Sequence, residues 1–366
     1  MKLLMVFFPN PNAGDYLIKD RTIRLFRNNN SDDEIIVLDG LVNPNAQLDY
    51  NSFDAIIFGG GPFFDDRVME NLIIPFFDKI NTITVPIHIV GSGVYGDDCS
   101  DYGVFERSFS NETMRFYNHI QEVGGTFGCR DEISYYIMKN AGFDNSFMTG
   151  CPAWYDLDYI DNLSLRYNGK IDKIIVSNPG LTKKMEEQEI RAQQCIEIVG
   201  FIRDFFPNAE LVFTFNAGIS TKYSSTCNNI IRRFLDDKKI RYIDMSGDYR
   251  GFDECDTCDI HIGFRVHSHV YCLSHGIPSI LIEEDLRGYG MNEALGLPHM
   301  LSYDSHSMHM NHSYNPNPFL LDHLKSRLLY ELNTGFFRYY GAFETIRNMY
   351  RKMWNVWIKA VMGSDL

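Results

Sequence analysis

Short apolar runs alternate along this chain with longer stretches of helical periodicity, and this alternation restricts the fold more than any other feature of the sequence. The runs have the length of strands and lack a strict alternation of polar and apolar residues, which is typical of strands buried on both faces of a sheet. Helices between such strands predict right-handed βαβ units around a parallel sheet. In the first half, the predicted strands are 3–8, 34–38, 55–58, 87–90 and 126–129, and the predicted helices are 16–27, 67–80, 111–123 and 131–141.

A second series of strands and helices follows a polar segment at 157–170. Its predicted strands are 173–177, 210–215, 240–245, 260–264 and 279–282, with helices at 187–206 and 224–237. Two such series predict an α/β protein of two Rossmann-like, doubly wound domains that face each other across a cleft. We expect the first domain at 1–165 and the second at 166–335, followed by a C-terminal helix in 336–366.

The C-terminal segment 341–362 carries apolar residues at alternating steps of three and four, which predicts one apolar face of a helix. That face consists of Phe343, Ile346, Tyr350, Met353, Trp357 and Ala360. We expect this helix to pack back onto the body of the protein with its charged residues in solvent. The alternative is peripheral membrane contact, in which the basic residues and Trp357 touch anionic lipid. No uncharged apolar run approaches the roughly 18 residues that a membrane-spanning helix needs.

The charge of the chain restricts its partners. It contains 34 Lys and Arg against 48 Asp and Glu, a formal net charge of −14. Nucleic acid is therefore an unfavourable partner, because binding it needs a positive surface. An anionic small molecule is still a compatible ligand if arginines at its binding site oppose the negative electrostatic field of the whole protein. The N-terminal run is predicted to be a strand rather than a signal peptide, and eight cysteines without a dense spacing pattern favour a reduced, cytoplasmic protein.

Glycines and polar residues follow three predicted strands, at the sheet edge where α/β proteins bind their ligands. The segments are Asn12-Ala-Gly14-Asp15, Gly59-Gly60-Gly61 and Gly91-Ser92-Gly93. Bare backbone allows a ligand or another loop to come close and exposes N–H groups to an anion. Tight turning between strand and helix is the structural alternative. None of the three segments is the Gly-x-Gly-x-x-Gly fingerprint of dinucleotide binding.

Arginines follow two other predicted strands. Arg130 lies where a strand gives way to a helix, so its guanidinium either points into the cleft or pairs with Asp131. Arg265 and His267 fall in the first turn of a helix predicted to end near Ser274, where free N–H groups favour an anion. An imidazole in that position suits proton donation, whereas a structural role is the alternative for a lone His.

In their order along the chain, these segments resemble the motifs of the polysaccharide pyruvyltransferase family. The resemblance extends over roughly residues 12–297, and the joint order of the motifs is far more specific than any one of them. The matching segments are Asn12-x-Gly14-Asp15, Asp54-Ala-Ile-Ile-Phe-Gly59-Gly60-Gly61, Gly91-Ser92-Gly93, Arg130-Asp131-x-x-Ser134, Arg265-x-His267-Ser268, Gly276-Ile-Pro278 and Asp285-Leu-Arg287-Gly288.

The resemblance implies a GT-B-like fold and transfer of a pyruvyl group from phosphoenolpyruvate to two hydroxyls of a sugar, which forms a cyclic ketal in polysaccharide biosynthesis. It implies that Arg130 and Arg265 hold the donor, with His267 as the acid/base. The other predicted substrate-binding residues are Asn12, Gly14, Asp15, Gly60, Gly61, Ser92 and Arg287. We expect no cofactor and no metal; the partners are phosphoenolpyruvate and a saccharide acceptor, free or lipid-linked.

The sequence departs from the family pattern at three places, and these leave alternatives open. Cys151 stands before Pro-Ala, where family members usually have an acidic residue. Asn178-Pro179-Gly180 follows a strand where many relatives place an Arg. Family members also commonly have a Lys near the position of Arg287. One alternative is a nucleotide-sugar glycosyltransferase, with Glu283 and Glu284 on the ribose. Another is an inactive carbohydrate-binding relative. A zinc site is a third alternative, formed by Cys255, Cys258, His261, His267 and His269.

Overall fold

The computed structural model describes residues 1–8, 12–40, 48–74, 80–96, 99, 107–180, 182, 184–217, 219 and 225–362. The first domain is built on a sheet of six parallel strands in the order β2-β1-β3-β4-β5-β6. Its strands are β1 Lys2–Phe7, β2 Glu34–Asp39, β3 Ala55–Phe64, β4 Ile87–Val94, β5 Thr126–Cys129 and β6 Ser146–Met148. The side chains of residues 3 to 6 in β1 are all fully buried, which explains the uninterrupted apolar pattern of this central strand.

The second domain is built on a sheet of five parallel strands in the order β11-β10-β7-β8-β9. Its strands are β7 Lys173–Ser177, β8 Glu210–Phe215, β9 Arg241–Asp244, β10 Ile260–Gly263 and β11 Ser279–Leu281. The two parallel sheets with their helices confirm the predicted α/β fold with two doubly wound domains.

Helices connect the strands within each domain. They are α1 Ala13–Asn29, α2 Asp66–Val68, α3 Asn111–Glu122, α4 Glu132–Asn140, α5 Met185–Phe205, α6 Ser225–Lys238, α7 Val266–Ser274, α8 Leu286–Leu295, α9 Ser305–Asn311, α10 Leu320–Thr334, α11 Arg338–Met349 and α12 Asn355–Val361. A wider helical turn, Met69–Ile73, continues α2, and residues 75–79 of the predicted helix 67–80 lie outside the described residues. Among the described residues, no helix combines the length and apolar character that crossing a bilayer requires.

The glycine segments lie within strands, so the prediction that β3 and β4 end before them was wrong. Gly59 pairs with Val90 and Gly61 with Ser92, and the ladder continues to Phe64 and Val94 after a register shift. The bulged backbone has positive φ at Gly60 (49°) and Gly61 (146°), conformations that favour glycine. Glycine thus extends these strands through an irregularity instead of ending them.

The C-terminal helices pack back onto the body of the protein, as predicted. Trp354 and Trp357 contact Phe26 of α1 edge to face, with ring centroids 6.2 and 6.3 Å away. The predicted apolar face is confirmed at Phe343, Ile346, Tyr350 and Trp357 but was wrong at Met353 and Ala360, which are exposed, while Trp354 is buried. A wider turn at Tyr350–Trp354 inserts one extra residue and rotates the face of α12 relative to α11.

A buried cluster of charged residues joins the two domains behind the cleft. Arg21 of α1 lies 2.5 Å from Asp156, measured from Nη2 to Oδ2. His275, which follows α7 in the second domain, places Nε2 2.9 Å from the same oxygen and Nδ1 against Asp256. The His275 ring stacks on Tyr159 with centroids 4.2 Å apart. Each polar group in this cluster therefore has a partner from another segment.

The His275 cluster should make stability depend on pH. Burial and the nearby Arg21 lower the pKa of His275. Hydrogen bonds to Asp156 and Asp256 have the larger combined effect, so the pKa is raised above its ordinary value. A raised folded-state pKa adds stability at low pH, and this contribution is lost as the pH rises through that pKa. We expect His275→Gln to lower the free energy of unfolding at pH 6 by about 1–3 kcal/mol.

Urea unfolding at pH 6 and again near pH 9 tests this prediction. The loss caused by His275→Gln should shrink at the higher pH, where the native imidazole is neutral. His306→Gln, at an exposed position, is the matched control and should change little at either pH. An equal loss at both pH values would show that His275 contributes only packing.

Candidate active site

A pocket between the domains brings together half of the ten predicted site residues. It lies beyond the carboxyl ends of β5 and β10, at the beginning of α7 and α8. The first domain contributes Asn12 and Arg130, and the second contributes Arg265, His267 and Arg287. The rest of the lining is Gly180, Phe264, Val266, Glu284 and Asp285. Residues from both halves of the chain therefore line this pocket.

The two domains are fixed to each other beside the pocket. Asn12 and Ala217 form an isolated antiparallel bridge, and the Ala13 N–H donates to the carbonyl of Asn216 at 2.9 Å. The Asn12 side chain also accepts from the Gly14 N–H at 3.3 Å and so caps α1. Asn12 therefore both begins a helix of the first domain and contacts the second domain.

Arg130 both lines the pocket and pairs with Asp131, so the two predicted alternatives coexist. Its Nε donates to Asp131 Oδ2 at 3.0 Å and its Nη2 to the Val94 carbonyl at 3.3 Å. Asp131 in turn caps α4 by accepting from Ser134 N–H at 2.8 Å. A Cβ on Gly93 would lie 2.0 Å from Arg130 Nε, so only glycine leaves room for the guanidinium.

One side of the Arg265 guanidinium is hydrogen-bonded, and the other side has an unpaired nitrogen. Its Nε donates to Asn178 Oδ1 at 2.9 Å, and Asn228 and the Asn216 N–H hold Asn178. Arg265 Nη2 is buried and has no hydrogen-bond partner among the described residues. Burial lowers the pKa of Arg265 to about 10, against the opposing effect of Glu284, so the group stays cationic near neutrality. A buried, unpaired guanidinium nitrogen suits an anionic ligand.

His267 is the second residue of α7 and lies against the backbone of Gly14. A Cβ on Gly14 would meet His267 Nδ1 at 1.8 Å. Burial, followed by the charges of Arg287, Arg130 and Arg265, lowers the pKa of His267 to about 3. With these neighbours alone, the imidazole is therefore neutral at pH 7. Three cations surround it, and an anion bound among them would favour its protonation.

Arg287 supplies the third guanidinium. Its Nη2 lies 2.5 Å from Asp285 Oδ2, and Asp285 also caps α8 through the Arg287 N–H at 2.9 Å. The pKa of Arg287 is raised because the attraction of Asp285 outweighs burial. The guanidinium carbon lies 4.9 Å from the centre of the Tyr95 ring, and Arg67 lies 4.7 Å from the same ring. Arg287 is therefore firmly positioned at the pocket edge.

Glu284 separates this pocket from a larger cavity of about 330 Å³. It accepts hydrogen bonds of 2.5 Å from the Gly180 N–H and from Arg191 Nη1. The larger cavity shares Gly180, Glu284, Asp285 and Arg287 with the pocket and is also lined by Arg67, Tyr95, Thr182, Lys184, Glu187 and Arg191. The sequence indicated Glu284 only as a possible ligand of a ribose in the glycosyltransferase alternative. Its hydrogen bonds to Gly180 and Arg191 instead fix it where the two cavities meet.

Four predicted substrate-binding residues lie away from this pocket. Asp15, Gly60 and Gly61 line a separate cavity of about 120 Å³ together with Phe7, Phe8 and Phe63. Ser92 is fully buried, donates to the Gly61 carbonyl at 2.8 Å and accepts from the Phe63 N–H at 2.9 Å. Its hydroxyl holds β3 to β4 at the bulge. Gly14 does not line the pocket either, but it determines where His267 lies.

The residues of the zinc alternative have other contacts. His261 Nδ1 and His269 Nδ1 both lie on Ser279 Oγ, at 2.7 and 2.8 Å. Cys255 and Cys258 are buried free thiols. Within the described part of the chain, no three His, Cys, Asp or Glu side chains are grouped as metal ligands would be. Glu283 is also turned away from the cleft, bonded to Asn292 and His299.

Two parallel-sheet domains that enclose a site at their facing edges define a GT-B-fold enzyme. An MnaA–UDP structure from S. aureus matches with a TM-score of 0.56 and 11% identity, over 100% of this chain and 97% of that one. A putative UDP-N-acetylglucosamine 2-epimerase from Listeria monocytogenes matches with a TM-score of 0.57 and 12% identity, over the same shares. The UDP-GlcNAc 2-epimerase of Neisseria meningitidis, bound to UDP-GlcNAc, matches at 0.53 and 10%, over 99% and 100%. At these identities the likeness concerns the fold alone.

The particular family follows from the sequence. The polysaccharide pyruvyl transferase family model matches residues 12–285, and the chain belongs to that family. The match begins at Asn12 and ends at Asp285, both of which line the pocket. A search of curated proteins gives no significant match.

Proposed function

We propose that this protein transfers a pyruvyl group from phosphoenolpyruvate to two hydroxyls of a saccharide, with a cyclic ketal and inorganic phosphate as products. One observation carries the proposal: Arg130, Arg265, Arg287 and His267, from both domains, line one pocket. Membership in the polysaccharide pyruvyl transferase family supports it. The overall charge of −14 opposes anion binding. A local concentration of arginine in such a chain therefore supports binding of a specific anion at this pocket.

The pocket suits the two anionic groups of the donor. Phosphoenolpyruvate carries a phosphate and a carboxylate on adjacent atoms of a three-carbon unit. Arg265 offers a buried, unpaired Nη2 at the beginning of α7, where the helix dipole also favours an anion. Arg130 offers the edge of its guanidinium that Asp131 does not occupy. We assign one anionic group of the donor to each arginine, with Arg287 beside them.

His267 is the proposed general acid. A proton moves from the imidazolium to the methylene carbon of the donor, which leaves an oxocarbenium-like centre at C2. A saccharide hydroxyl attacks C2, a second hydroxyl replaces the phosphate and closes the ketal, and the two hydroxyl protons return to His267 and to the phosphate. The larger cavity on the other side of Glu284 is the proposed place of the acceptor, because Gly180, Glu284, Asp285 and Arg287 line both cavities.

All eight cysteines are buried and none forms a disulfide bond, as expected of a chain that works in a reducing compartment. We accordingly propose that the protein acts in the cytoplasm, where phosphoenolpyruvate is produced. No part of the proposed reaction requires a metal or a cofactor.

A thermal-shift comparison of phosphoenolpyruvate, uridine diphosphate and inorganic phosphate tests the proposed function. A ligand that binds only the folded state raises the unfolding midpoint by mass action. We expect phosphoenolpyruvate to raise it most, and Arg265→Ala to abolish the shift. A shift with uridine diphosphate alone would favour the nucleotide-sugar alternative, and no shift with any of the three would favour an inactive relative.

Gly14→Ala should disable the site without unfolding the protein. The new Cβ would lie within 2.6 Å of three atoms of the His267 side chain, so the imidazole must move. Alanine is better than glycine by about 1 kcal/mol within a helix, so α1 itself should tolerate it. We expect at least about a tenfold loss of pyruvyl transfer in a protein that still folds, with a lowered unfolding midpoint because the His267 Cβ must also move.

Gly200→Ala is the matched control for this substitution. Gly200 lies within α5, where an added Cβ would meet no atom within 4 Å. It should gain the same helix propensity and leave transfer unchanged. Equal activity of both variants would show that the position of His267 against Gly14 is unimportant.

A further inference from the structure

A corner of the second domain exposes aromatic residues beside a cationic cavity. The corner, formed by Leu329, Tyr330, Phe337 and Tyr340, lies where α10 turns into α11. Phe337 is 69% exposed and Tyr340 54%, so most of each ring lies in solvent. Their ring centroids are 6.2 Å apart. Adjacent exposed rings of this kind mark an interaction surface more often than scattered single ones do.

The turn at this corner holds the aromatic residues outward. Gly335 and Phe336 both have positive φ, 60° and 59°, and for a phenylalanine this conformation is strained. The Phe336 ring is fully buried and packs on Tyr167 and Tyr339, with centroids 4.8 and 5.7 Å away. This anchor fixes the turn, so that the next residue, Phe337, points into solvent.

A cavity of about 360 Å³ opens beside the corner and shares Tyr330 with it. Its polar lining includes Arg327, Arg338, His323 and Ser326. The Arg338 guanidinium stacks on Tyr330 at 4.2 Å. Arg327 and Arg338 face a single buried carboxylate, Glu331, which Arg327 approaches to 2.8 Å. Glu331 therefore compensates one of the two arginine charges and leaves the other. His299, which also lines the cavity, is paired with Glu283 and Glu293.

The charge distribution indicates which partner fits. Arg347 and Arg351 of the C-terminal helices lie against residues 161–163, so the positive charge at the corner comes from Arg338 and Arg327. Arg338 is exposed, and Nη1 of Arg327 is buried without a hydrogen-bond partner among the described residues. A phosphate at the mouth of the cavity would meet both guanidinium groups. Aromatic side chains next to Arg and Lys are typical of the headgroup level of a membrane. The apolar face of the C-terminal helices cannot serve this purpose, because Trp354 and Trp357 are buried.

We propose that this corner docks onto an anionic phospholipid bilayer, with the aromatic residues among the headgroups and a lipid phosphate at the mouth of the cavity. This proposal is independent of the reaction proposed above. Helix α8 begins at Leu286, next to Arg287 of the donor pocket, and ends at Leu295, two residues before Leu297, which lines the cavity. Ten residues of helix span about 15 Å, so docking would hold the pocket close to the membrane surface.

Sedimentation with vesicles tests the proposal. The full chain should sediment with vesicles that contain phosphatidylglycerol and remain in solution with phosphatidylcholine alone. The double variant Phe337→Ser/Tyr340→Ser and the variant Arg338→Glu should each lose binding by about tenfold or more. Tyr136→Ser and Arg233→Glu are matched controls at exposed positions elsewhere and should bind as the natural chain does. Unfolding midpoints of all variants establish that they fold.

Three results would overturn the proposal. The first is a natural chain that binds anionic and uncharged vesicles equally, or binds neither. The second is binding of the corner variants that equals binding of the controls. The third is a dimer, detected by light scattering, that only the corner variants dissociate, which would make the corner a contact between two copies of the chain. None of these results would bear on phosphoenolpyruvate binding, which the thermal-shift comparison measures separately.

Discussion

His267→Ala is expected to lower the rate of pyruvyl transfer by about 10²–10⁴-fold, the range typical of losing a general acid. The imidazole lies in the pocket with three arginines, and Gly14 leaves the space that it occupies. Among the described residues that line the pocket, His267 is the only histidine. The assay is the release of phosphate from phosphoenolpyruvate in the presence of an accepted saccharide. His306→Ala, at an exposed position, is the control and should keep full activity.

Proton uptake on donor binding provides a second readout that needs no acceptor. The pKa of His267 is about 3, because of burial and the charges of Arg287, Arg130 and Arg265. The donor brings negative charge next to the ring, which raises this pKa and favours the imidazolium. Binding should therefore strengthen as the pH falls, and the natural chain should take up a proton on binding. Above about pH 7.5 the donor phosphate is already fully ionised and contributes little to this uptake.

Calorimetric titrations in buffers of different ionisation enthalpy measure that uptake directly. His267→Gln should bind phosphoenolpyruvate without taking up a proton. Uptake that persists in His267→Gln would assign the titrating group elsewhere. A natural chain that binds the donor with no proton uptake would remove His267 from the role of acid in the bound complex.

Removing either donor-binding arginine should weaken phosphoenolpyruvate binding by about 10–100-fold, because each supplies charge-assisted hydrogen bonds. Arg265→Ala removes the unpaired Nη2 and one of the two donors to Asn178 Oδ1, while the Asn216 N–H remains. Arg130→Ala removes the only guanidinium that the first domain contributes to the pocket lining. Lysine at either position should recover only part of the affinity, since it cannot reproduce the planar fork.

The dissociation constant for phosphoenolpyruvate, measured by calorimetry, tests this second prediction. Arg233→Ala removes an exposed arginine on α6 and is the matched control for the loss of one positive charge. Its affinity should equal that of the natural chain. Normal donor affinity in both Arg130→Ala and Arg265→Ala would place the donor somewhere else in the protein.

The sequence predicted the strands well where burial alone determines them. Strands 126–129, 173–177 and 210–215 were predicted with the bounds that the structure has. The short edge strand β6 and the helix α8 were missed, because three residues give no periodicity and α8 mixes glycines with polar residues. The bulges in β3 and β4 were taken for strand ends, since glycine marks both features in a sequence.

The site was predictable as far as its residues belong to recognisable motifs. Arg130, Arg265 and His267 were predicted from their places after strands, and the structure brings them to one pocket. Asn178 was noted only for replacing an arginine, whereas it positions Arg265 by a hydrogen bond. That contact joins residues 87 positions apart, and only the folded chain reveals it. Ser92 belongs to a motif, but its role in the structure is to hold two strands together, because its hydroxyl hydrogen-bonds with backbone groups of β3.

A crystal structure with phosphoenolpyruvate bound tests the central claim most directly. The measured quantity is the distance from the nearer ring nitrogen of His267 to the methylene carbon of the donor. We expect about 3–3.5 Å, with one anionic group of the donor on Arg130 and the other on Arg265. A donor bound in the cavity beside Gly60 and Gly61, or one whose methylene carbon faces away from His267, would contradict the account.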